Sequence, residues 1–272
     1  MGKFDGILFC TDLDDTLLTK DKHVSKENRE AIDYFIKQGG SFTFATGRIP
    51  YGARLMLDFV TINAPMVCMN GAGIYDAHKE ELLWSLTLPP DAIKVVEWVD
   101  KTFPFAGIEV CAGENVYFCK SNRVVEEHKQ HERLPDLYMD YHDFREDWYK
   151  TLFLQEADEL PALKQAILSS GFAHQYTFVQ SSPNYYEILP RGASKGNALA
   201  HLARMLKIPM ERVIAIGDNE NDLEMVEVAG LGVAVANAIA PLRDAADYIT
   251  VDHESHAIAA IISALDSGRI SL

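Results

Sequence analysis

Two aspartates follow directly after the first apolar segment of the chain. Asp12 and Asp14 lie two residues apart, and residues 7–10 before them are Ile, Leu, Phe and Cys. Such a run is typical of a buried strand in a parallel sheet, and open sheets of this kind bind ligands at the carboxyl ends of their strands. The pattern therefore predicts that both carboxylates serve a site at a sheet edge, where they can bind a cation or exchange protons.

A second acidic cluster lies far downstream and also follows an apolar run. Asp218, Asn221 and Asp222 come after residues 213–216, which read Val-Ile-Ala-Ile. One Asp-x-Asp-x-Thr motif occurs by chance in about 3% of chains of this length. Two acidic clusters at predicted strand ends make chance a poor explanation, although acidic residues and Asn also occur as ordinary helix caps and turn residues.

Composition limits the kind of partner that the chain can have. With 25 basic and 40 acidic residues, the net charge of −15 repels nucleic acid and anionic lipid. A phosphorylated metabolite is repelled as well, unless a divalent cation and a local Lys or Arg reverse the field at the site. We therefore expect no nucleic acid or membrane partner, and we expect metal dependence if the ligand is a phosphorylated metabolite.

Cysteine use and hydropathy indicate the compartment. The four cysteines show no CxxC spacing, which favours free thiols in a reducing environment. Neither a leader of the secretory type nor an apolar run of 18 residues is evident. We expect a cytoplasmic protein, as a monomer or weak homodimer.

Alternation of strand-like and helix-like segments predicts an α/β fold. Strands are expected near 5–11, 41–45 and 212–216, with helices near 25–38 and 194–207 that begin at Ser25 and Ser194. Between these halves the pattern changes to hairpin-like strands flanking Gly113, with further strands and helices. We predict a Rossmann-like parallel-sheet core at 1–84 and 189–272, interrupted by an α+β domain at 85–188.

Taken together, the motifs resemble those of the haloacid dehalogenase superfamily, within it the Cof-type phosphatases with a type IIB cap. Four motifs occur in the order of that family, and the resemblance covers essentially the whole chain. They are Asp12-Leu13-Asp14-Asp15-Thr16, Ala45-Thr46-Gly47-Arg48, Ser194-Lys195-Gly196 and Gly217-Asp218-Asn219-Glu220-Asn221-Asp222.

The resemblance implies a Mg²⁺-dependent phosphatase that works through an aspartyl-phosphate intermediate. Asp12 is then the nucleophile, and Asp14 protonates the leaving group and later activates water. The ion is expected on the side chains of Asp12 and Asp218 and the backbone carbonyl of Asp14, with Asn221 or Asp222 holding its waters. Sugar phosphates are the expected substrates, and the inserted domain is the expected specificity cap.

Substrate contacts are expected from the second and third motifs. Lys195 is placed in the first turn of a helix, where a cation opposes the helix dipole, so stability alone does not favour it there. We predict that Lys195 neutralises the transferring phosphoryl group and Thr46 binds one of its oxygens. Gly47, Arg48 and Asn70 are further candidates for contact with the substrate.

Some patterns support more than one interpretation. His128 and His131, like His253 and His256, have helical spacing, but neither pair has a metal-site pattern, so we predict surface histidines. The chain carries Ala236-Asn237-Ala238 where Cof-type sequences carry Gly-Asn-Ala, and its residues 252–256 differ from the usual tail. We expect the second departure to alter substrate preference.

Other functions of the same residues stay open at this point. A phosphomutase of the same fold passes the phosphoryl group to another hydroxyl instead of water. A phospho-acceptor switch also combines acids, Thr and Lys around magnesium, although its acid pair and phosphorylated Asp lie on separate strands. A binding protein without catalysis is the third alternative.

Overall fold

The first strand of the computed structural model, which describes residues 2–272, is buried at every position. The strands are, in chain order, β1 (Leu8–Thr11), β2 (Ser41–Phe44), β3 (Met66–Cys68), β4 (Gly73–Asp76), β5 (Glu81–Ser85), β6 (Gly107–Ala112), β7 (Asn115–Lys120), β8 (Trp148–Leu154), β9 (Thr177–Ser182), β10 (Tyr185–Leu189), β11 (Val213–Gly217), β12 (Leu231–Ala234) and β13 (Tyr248–Ile249).

Helices connect most of these strands. They are α1 (Lys26–Lys37), α2 (Pro50–Arg54), α3 (Ile93–Thr102), α4 (Arg123–Glu132), α5 (Leu160–Leu168), α6 (Lys195–Met205), α7 (Leu223–Val228), α8 (Ala240–Ala245) and α9 (Ala257–Asp266). Ser25 caps α1 by accepting a hydrogen bond from the Asn28 amide, and Ser194 caps α6 through the Asn197 amide. Both predicted helix starts are confirmed.

The chain divides into two compact units. The first runs to Gly47, then from Ala53 to Trp84 and from Ser194 to Leu272. The second comprises Arg48–Gly52 and Ser85–Ala193. The α/β fold class with a parallel sheet is confirmed.

A parallel sheet forms the centre of the first unit, with strand order β13-β12-β11-β1-β2. Strand β1 pairs with β11 so that Thr11 lies opposite Ile216. The acidic residues that follow each strand therefore leave the sheet at the same edge. Helices α1 and α9 pack against each other, and α6 packs against α7.

A small sheet of three strands extends this unit beyond β2. A parallel bridge between Ala45 and Val67 connects the end of β2 with β3, and β3, β4 and β5 form their own small sheet. The turn after β3 is thereby placed beside the turn after β2. Thr46 and Asn70, which follow these two strands, are neighbours for this reason.

The second unit is a five-stranded antiparallel sheet in the order β7-β6-β8-β10-β9. One face is apolar and packs on α3 and α5 through residues that include Ile108, Val110, Phe153 and Ile188. Because side chains alternate along a strand, the residues between them face the other way. On that face the sheet carries charged residues.

These charged residues are buried and paired. Glu109 bonds with Nδ1 of His128 on α4, at 2.9 Å to one carboxylate oxygen. Lys150 donates to Glu187 over 2.8 Å. Glu109, Lys150 and Glu187 are all less than 5% exposed, so each needs its partner to offset the cost of burial.

The structure corrects one sequence-based expectation and confirms another. His128 and His253 are not surface histidines: the His128 side chain is 13% exposed and faces Glu109, and His253 is buried. Spacing alone cannot reveal such burial, because it depends on partners from distant segments. All four cysteines are free, as predicted. Among residues 2–272, no helix has the length and apolar content needed to cross a membrane.

Candidate active site

Asp12 is held at the end of β1 by the sheet itself. Its backbone amide donates to the carbonyl of Ile216 on β11 over 2.9 Å, which continues the parallel ladder by one residue. The side chain is buried at 7% residue exposure, and Oδ1 accepts a hydrogen bond from Nζ of Lys195 over 2.6 Å. A carboxylate in this position is fixed by backbone and side chain together.

Lys195 connects the two acidic clusters. As the first residue of α6 it is buried, and its Nζ lies 2.6 Å from Asp12 and 2.6 Å from Asp222. Although burial lowers the pKa of Lys195, the two carboxylates raise it above the ordinary value. The lysine therefore stays charged, as expected for a cation that binds an anionic group.

The loop after β11 folds back on itself through Asp222. Its Oδ2 accepts hydrogen bonds from the backbone amides of Asp218 and Asn219, at 3.0 and 3.1 Å, while Oδ1 faces Lys195. The side chain thus rigidifies the loop and orients the lysine at the same time. Asp218 itself accepts a hydrogen bond from the Thr16 hydroxyl at 3.0 Å.

Crowding of carboxylates perturbs their proton affinities. Burial raises the pKa of Asp12 well above its ordinary value; Lys195 opposes the shift, and Asp222 and Asp218 add to it. The pKa of Asp218 is raised to about 7, first by burial and then by Asp222. The positive charge near these two carboxyl groups is thus too small to cancel the effect of burial on their pKa values.

The donor set fits a hard divalent cation. Asp12, Asp218 and Asp222 each offer a carboxylate oxygen, and these atoms lie within 4.8 Å of one another. Oxygen ligands of this kind suit Mg²⁺ and Ca²⁺. A cation here would supply the positive charge that the raised pKa values of Asp12 and Asp218 call for.

Asp14 lies beside the metal-ligand candidates but outside their carboxylate group. Its Oδ1 is 2.9 Å from Nζ of Lys22, and both side chains are about one-third exposed. Asp15, the next residue, has a left-handed backbone with φ of 58°. The Asp14 carboxylate is thus paired with Lys22 and partly open to solvent.

Asn70 presents a buried donor. The residues 69, 70 and 71 all have positive φ, and Gly71 lies so close to Ser194 that a β-carbon would come within 1.9 Å of its carbonyl oxygen. This turn buries Asn70, whose Oδ1 accepts from Asn221 over 3.0 Å. Its Nδ2 is buried without a hydrogen-bond partner among residues 2–272, an arrangement that points to a missing acceptor.

Thr46 and Gly47 border the same space. The Thr46 amide donates to Val67 over 2.9 Å, and its carbonyl accepts from the Asn70 amide over 3.0 Å. A β-carbon on Gly47 would lie 3.2 Å from Nδ2 of Asn70. The two turns thus place Thr46 beside the Asn70 backbone and Gly47 beside the Asn70 side chain.

Arg48 follows these residues in sequence but belongs to the second unit. Its Nη1 lies 2.9 Å from Glu132 on α4, and both side chains are mostly buried. Its contact with substrate stays a prediction.

Some residues of the site were not singled out from sequence. Thr16 belongs to the first motif, but its hydrogen bond to Asp218 joins residues 202 positions apart in sequence. Lys22 lies in an ordinary polar stretch, and only the folded turn reveals its contact with Asp14. Helical or strand periodicity carries no signal for such contacts.

A scan against family models matches residues 9–262 to the haloacid dehalogenase-like hydrolases. YxeH of Bacillus subtilis is 31% identical over 267 residues, which cover 95% of this chain and 97% of that protein. The 5-amino-6-(5-phospho-D-ribitylamino)uracil phosphatase YwtE of the same organism is 29% identical, covering 95% and 97%.

The fold is also shared with solved structures. One is a subclass IIB sugar phosphatase of this superfamily, with a TM-score of 0.83 over 97% of this chain and 100% of that one. At 19% identity, this likeness shows the fold alone.

Proposed function

The chain belongs to the haloacid dehalogenase-like hydrolases and is a phosphatase, and we propose that it hydrolyses a small sugar phosphate through an aspartyl-phosphate on Asp12, with Mg²⁺ as cofactor. The observation that carries the proposal is the buried lysine between two carboxylates. Lys195 lies 2.6 Å from both Asp12 and Asp222. Burying three charged groups is costly, and a site that handles an anion explains the arrangement better than stability does.

The first step transfers the phosphoryl group to the enzyme. An Oδ atom of Asp12 forms a bond to phosphorus while the bond from phosphorus to the ester oxygen breaks. Asp14 donates a proton to the departing alkoxide, which leaves as an alcohol. Its position in a partly exposed turn, 2.9 Å from Lys22, lets it reach protons from solvent.

The second step restores the enzyme. Asp14 accepts a proton from water as the water oxygen bonds to phosphorus, and the bond from phosphorus to Asp12 breaks, which releases inorganic phosphate. Lys195 stays protonated throughout, since Asp12 and Asp222 raise its pKa. Its charge stabilises the negative charge that spreads over the phosphoryl oxygens in both steps.

The remaining polar groups bind the phosphoryl oxygens. The side-chain Nδ2 of Asn70 is buried without a hydrogen-bond partner among the described residues. Thr46 lies next to Asn70, whose backbone amide donates to the Thr46 carbonyl. A phosphoryl oxygen is an acceptor that both can share. Asp222 holds the loop of Asp218 and Asn219 in place through two backbone hydrogen bonds.

Asp12 and Asp218, with the backbone carbonyl of Asp14 and waters held by Asn221 or Asp222, would hold the cation. When bound, a divalent cation neutralises phosphoryl charge and keeps the carboxylates ionised.

One relative supports a phosphorylated sugar-like chain as the substrate class. The phosphatase that is 29% identical is named for a substrate with a phosphorylated ribityl chain. The net charge of −15 supports a small ligand over a polyanion.

A substrate panel on wild type and Asp12→Asn tests the proposal. Sugar phosphates of three to six carbons and nucleoside monophosphates are incubated with Mg²⁺, with EDTA as the metal-free arm, and released phosphate is measured. We expect wild type to hydrolyse sugar phosphates only in the Mg²⁺ arm. The rate of phosphate release should fall by at least about 10³-fold in Asp12→Asn.

Product analysis separates the alternatives. A phosphomutase leaves the phosphate on the sugar at another position, and a phospho-acceptor switch accumulates phosphoenzyme without turnover. Either product pattern, or full activity of Asp12→Asn, contradicts the proposed function.

A further inference from the structure

Asp15 is held in a left-handed conformation by a side chain that lies 222 residues away in sequence. Its φ is 58° and ψ is 14°, values that side-chain-bearing residues adopt rarely. The Asp15 carbonyl accepts a hydrogen bond from Nδ2 of Asn237 over 2.9 Å. The turn that carries the predicted acid and base is thus tied to the loop after β12.

Asn237 is itself fixed at its other end. Its Oδ1 accepts a hydrogen bond from the backbone amide of His253 over 3.1 Å. The side chain therefore bridges two segments, one before α9 and one after β1. An asparagine is suited to this because it offers a donor and an acceptor on one planar group.

The same loop also binds the second acidic segment. The amide of Ile239 donates to the carbonyl of Asp218 over 2.9 Å, and Val235 donates to Gly217 over 3.2 Å. Residues 235–239 consequently contact the turn of Asp14 and the loop of Asp218 at once. They set the distance between these two parts of the site.

The Asp15 peptide is placed where its rotation would matter. On one side it leads to Asp14, paired with Lys22, and on the other to Thr16, whose hydroxyl donates to Asp218 over 3.0 Å. A turn of this peptide would move the Asp14 carboxylate or withdraw the Thr16 hydroxyl. The bond from Asn237 opposes that motion at the carbonyl.

We propose that Asn237 is a positioning residue for phosphoryl transfer, which holds the Asp15 carbonyl and thereby places Asp14 for proton transfer to the leaving group. The inference rests on the proposed function of Asp14. Asn237 is exposed and contributes nothing to the hydrophobic core. Its loss should therefore affect the rate of the chemical step far more than the stability of the fold.

Asn237→Ala and Asn237→Asp test this. The first removes both bonds; the second keeps the shape and the acceptor but lacks the N–H donor to Asp15. We expect kcat to fall by about 10–100-fold in both, as misplacement of a catalytic group by about 1 Å does. KM should stay within about threefold, and the unfolding midpoint should fall by only about 1–4 °C.

Asn63→Ala is the matched control. Asn63 makes the same kind of bridge in the same unit, accepting from the Phe42 amide over 2.7 Å and donating to the Gly40 carbonyl over 3.0 Å. These contacts lie at the amino end of β2, away from the acidic residues. We expect a fall in the unfolding midpoint and a kcat within about twofold of wild type.

The outcomes separate this inference from the proposed function. If wild type is active, Asp12→Asn is inactive and Asn237→Asp keeps the wild-type kcat, only the role of Asn237 is overturned. The role is also overturned if the loss of kcat in Asn237→Ala is matched by Asn63→Ala, because a general loss of stability then explains both. Full activity of Asp12→Asn overturns the proposed function itself.

Discussion

Replacing Lys195 by methionine removes the one positive charge that contacts both Asp12 and Asp222 among the described residues. At an effective dielectric constant of 20, each 2.6 Å contact contributes about 6 kcal/mol of gross Coulomb attraction. The cost of burying the charges offsets most of this, and breaking a buried ion pair costs about 3–5 kcal/mol net. For a unit of this size, that corresponds to a fall of roughly 10 °C in the unfolding midpoint.

The fall should depend on pH in a definite direction. Burial already raises the pKa of Asp12, and Lys195 opposes that shift, so its loss raises the pKa further. A carboxyl group with a raised pKa takes up a proton at low pH and is less costly to bury there. The difference between Lys195→Met and wild type should therefore be small at pH 5 and grow toward pH 8.

Thermal unfolding in EDTA at pH 5, 6.5 and 8 measures this difference, and phosphate release with Mg²⁺ measures activity. We expect activity to fall by about 10²–10³-fold, as when one donor to a developing oxyanion is removed. Lys150→Met is the matched control, because Lys150 is equally buried and lies 2.8 Å from Glu187. It should lower stability by a similar amount and retain hydrolysis. A Lys195→Met protein with wild-type stability at pH 8 and activity within threefold would refute the reasoning.

Two further predictions concern the Asn70 donor and the charged face of the second unit. Gly47→Ala places a β-carbon 3.2 Å from Nδ2 of Asn70, so we expect kcat/KM to fall about tenfold or more. In the control Gly171→Ala, the β-carbon meets nothing within 4 Å, so kcat/KM should stay unchanged. Equal kcat/KM values for the two variants would contradict the role of Asn70. Burial and the charge of Lys150 lower the pKa of His128, whereas Glu109 and Glu132 raise it. The net result is a pKa above the ordinary value. The stabilisation from His128 is therefore complete below pH 6.5 and lost as the pH rises through the raised value. The unfolding midpoint should fall from pH 6.5 to 8.5 in wild type and fall by less in Glu109→Gln, where only the raised pKa values of Asp12 and Asp218 still contribute.

Sequence reasoning recovered the frame of the site because strand ends fix it. The apolar runs before Asp12 and Asp218 are β1 and β11, and their pairing brings both acidic clusters to one edge. Ser194 predicted the start of α6 and so the position of Lys195 in its first turn. These features are local in sequence and follow directly from strand and cap patterns.

Contacts between distant segments were beyond reach. Helix α4, which carries His128, has only Val124 and Val125 as buried residues. These are too few to give an apolar pattern from which the buried face of the helix could be predicted. The bonds from Lys22 to Asp14 and from Asn237 to Asp15 depend on left-handed turns, at Lys22 and Asp15, that single sequences do not specify. In Asn70, Oδ1 accepts a hydrogen bond from Asn221, whereas the buried Nδ2 has no hydrogen-bond partner among the described residues. Only the fold shows which atom of this side chain is paired.

Identification of the phosphorylated residue tests the central claim most directly. Wild-type protein is mixed with substrate and Mg²⁺, quenched in acid within milliseconds, and reduced with borohydride, which converts an aspartyl-phosphate to homoserine. We predict homoserine at position 12, and none when substrate is omitted or when Asp12→Asn is used. Homoserine at another aspartate, or hydrolysis with no reducible acyl-phosphate at any quench time, would contradict the account.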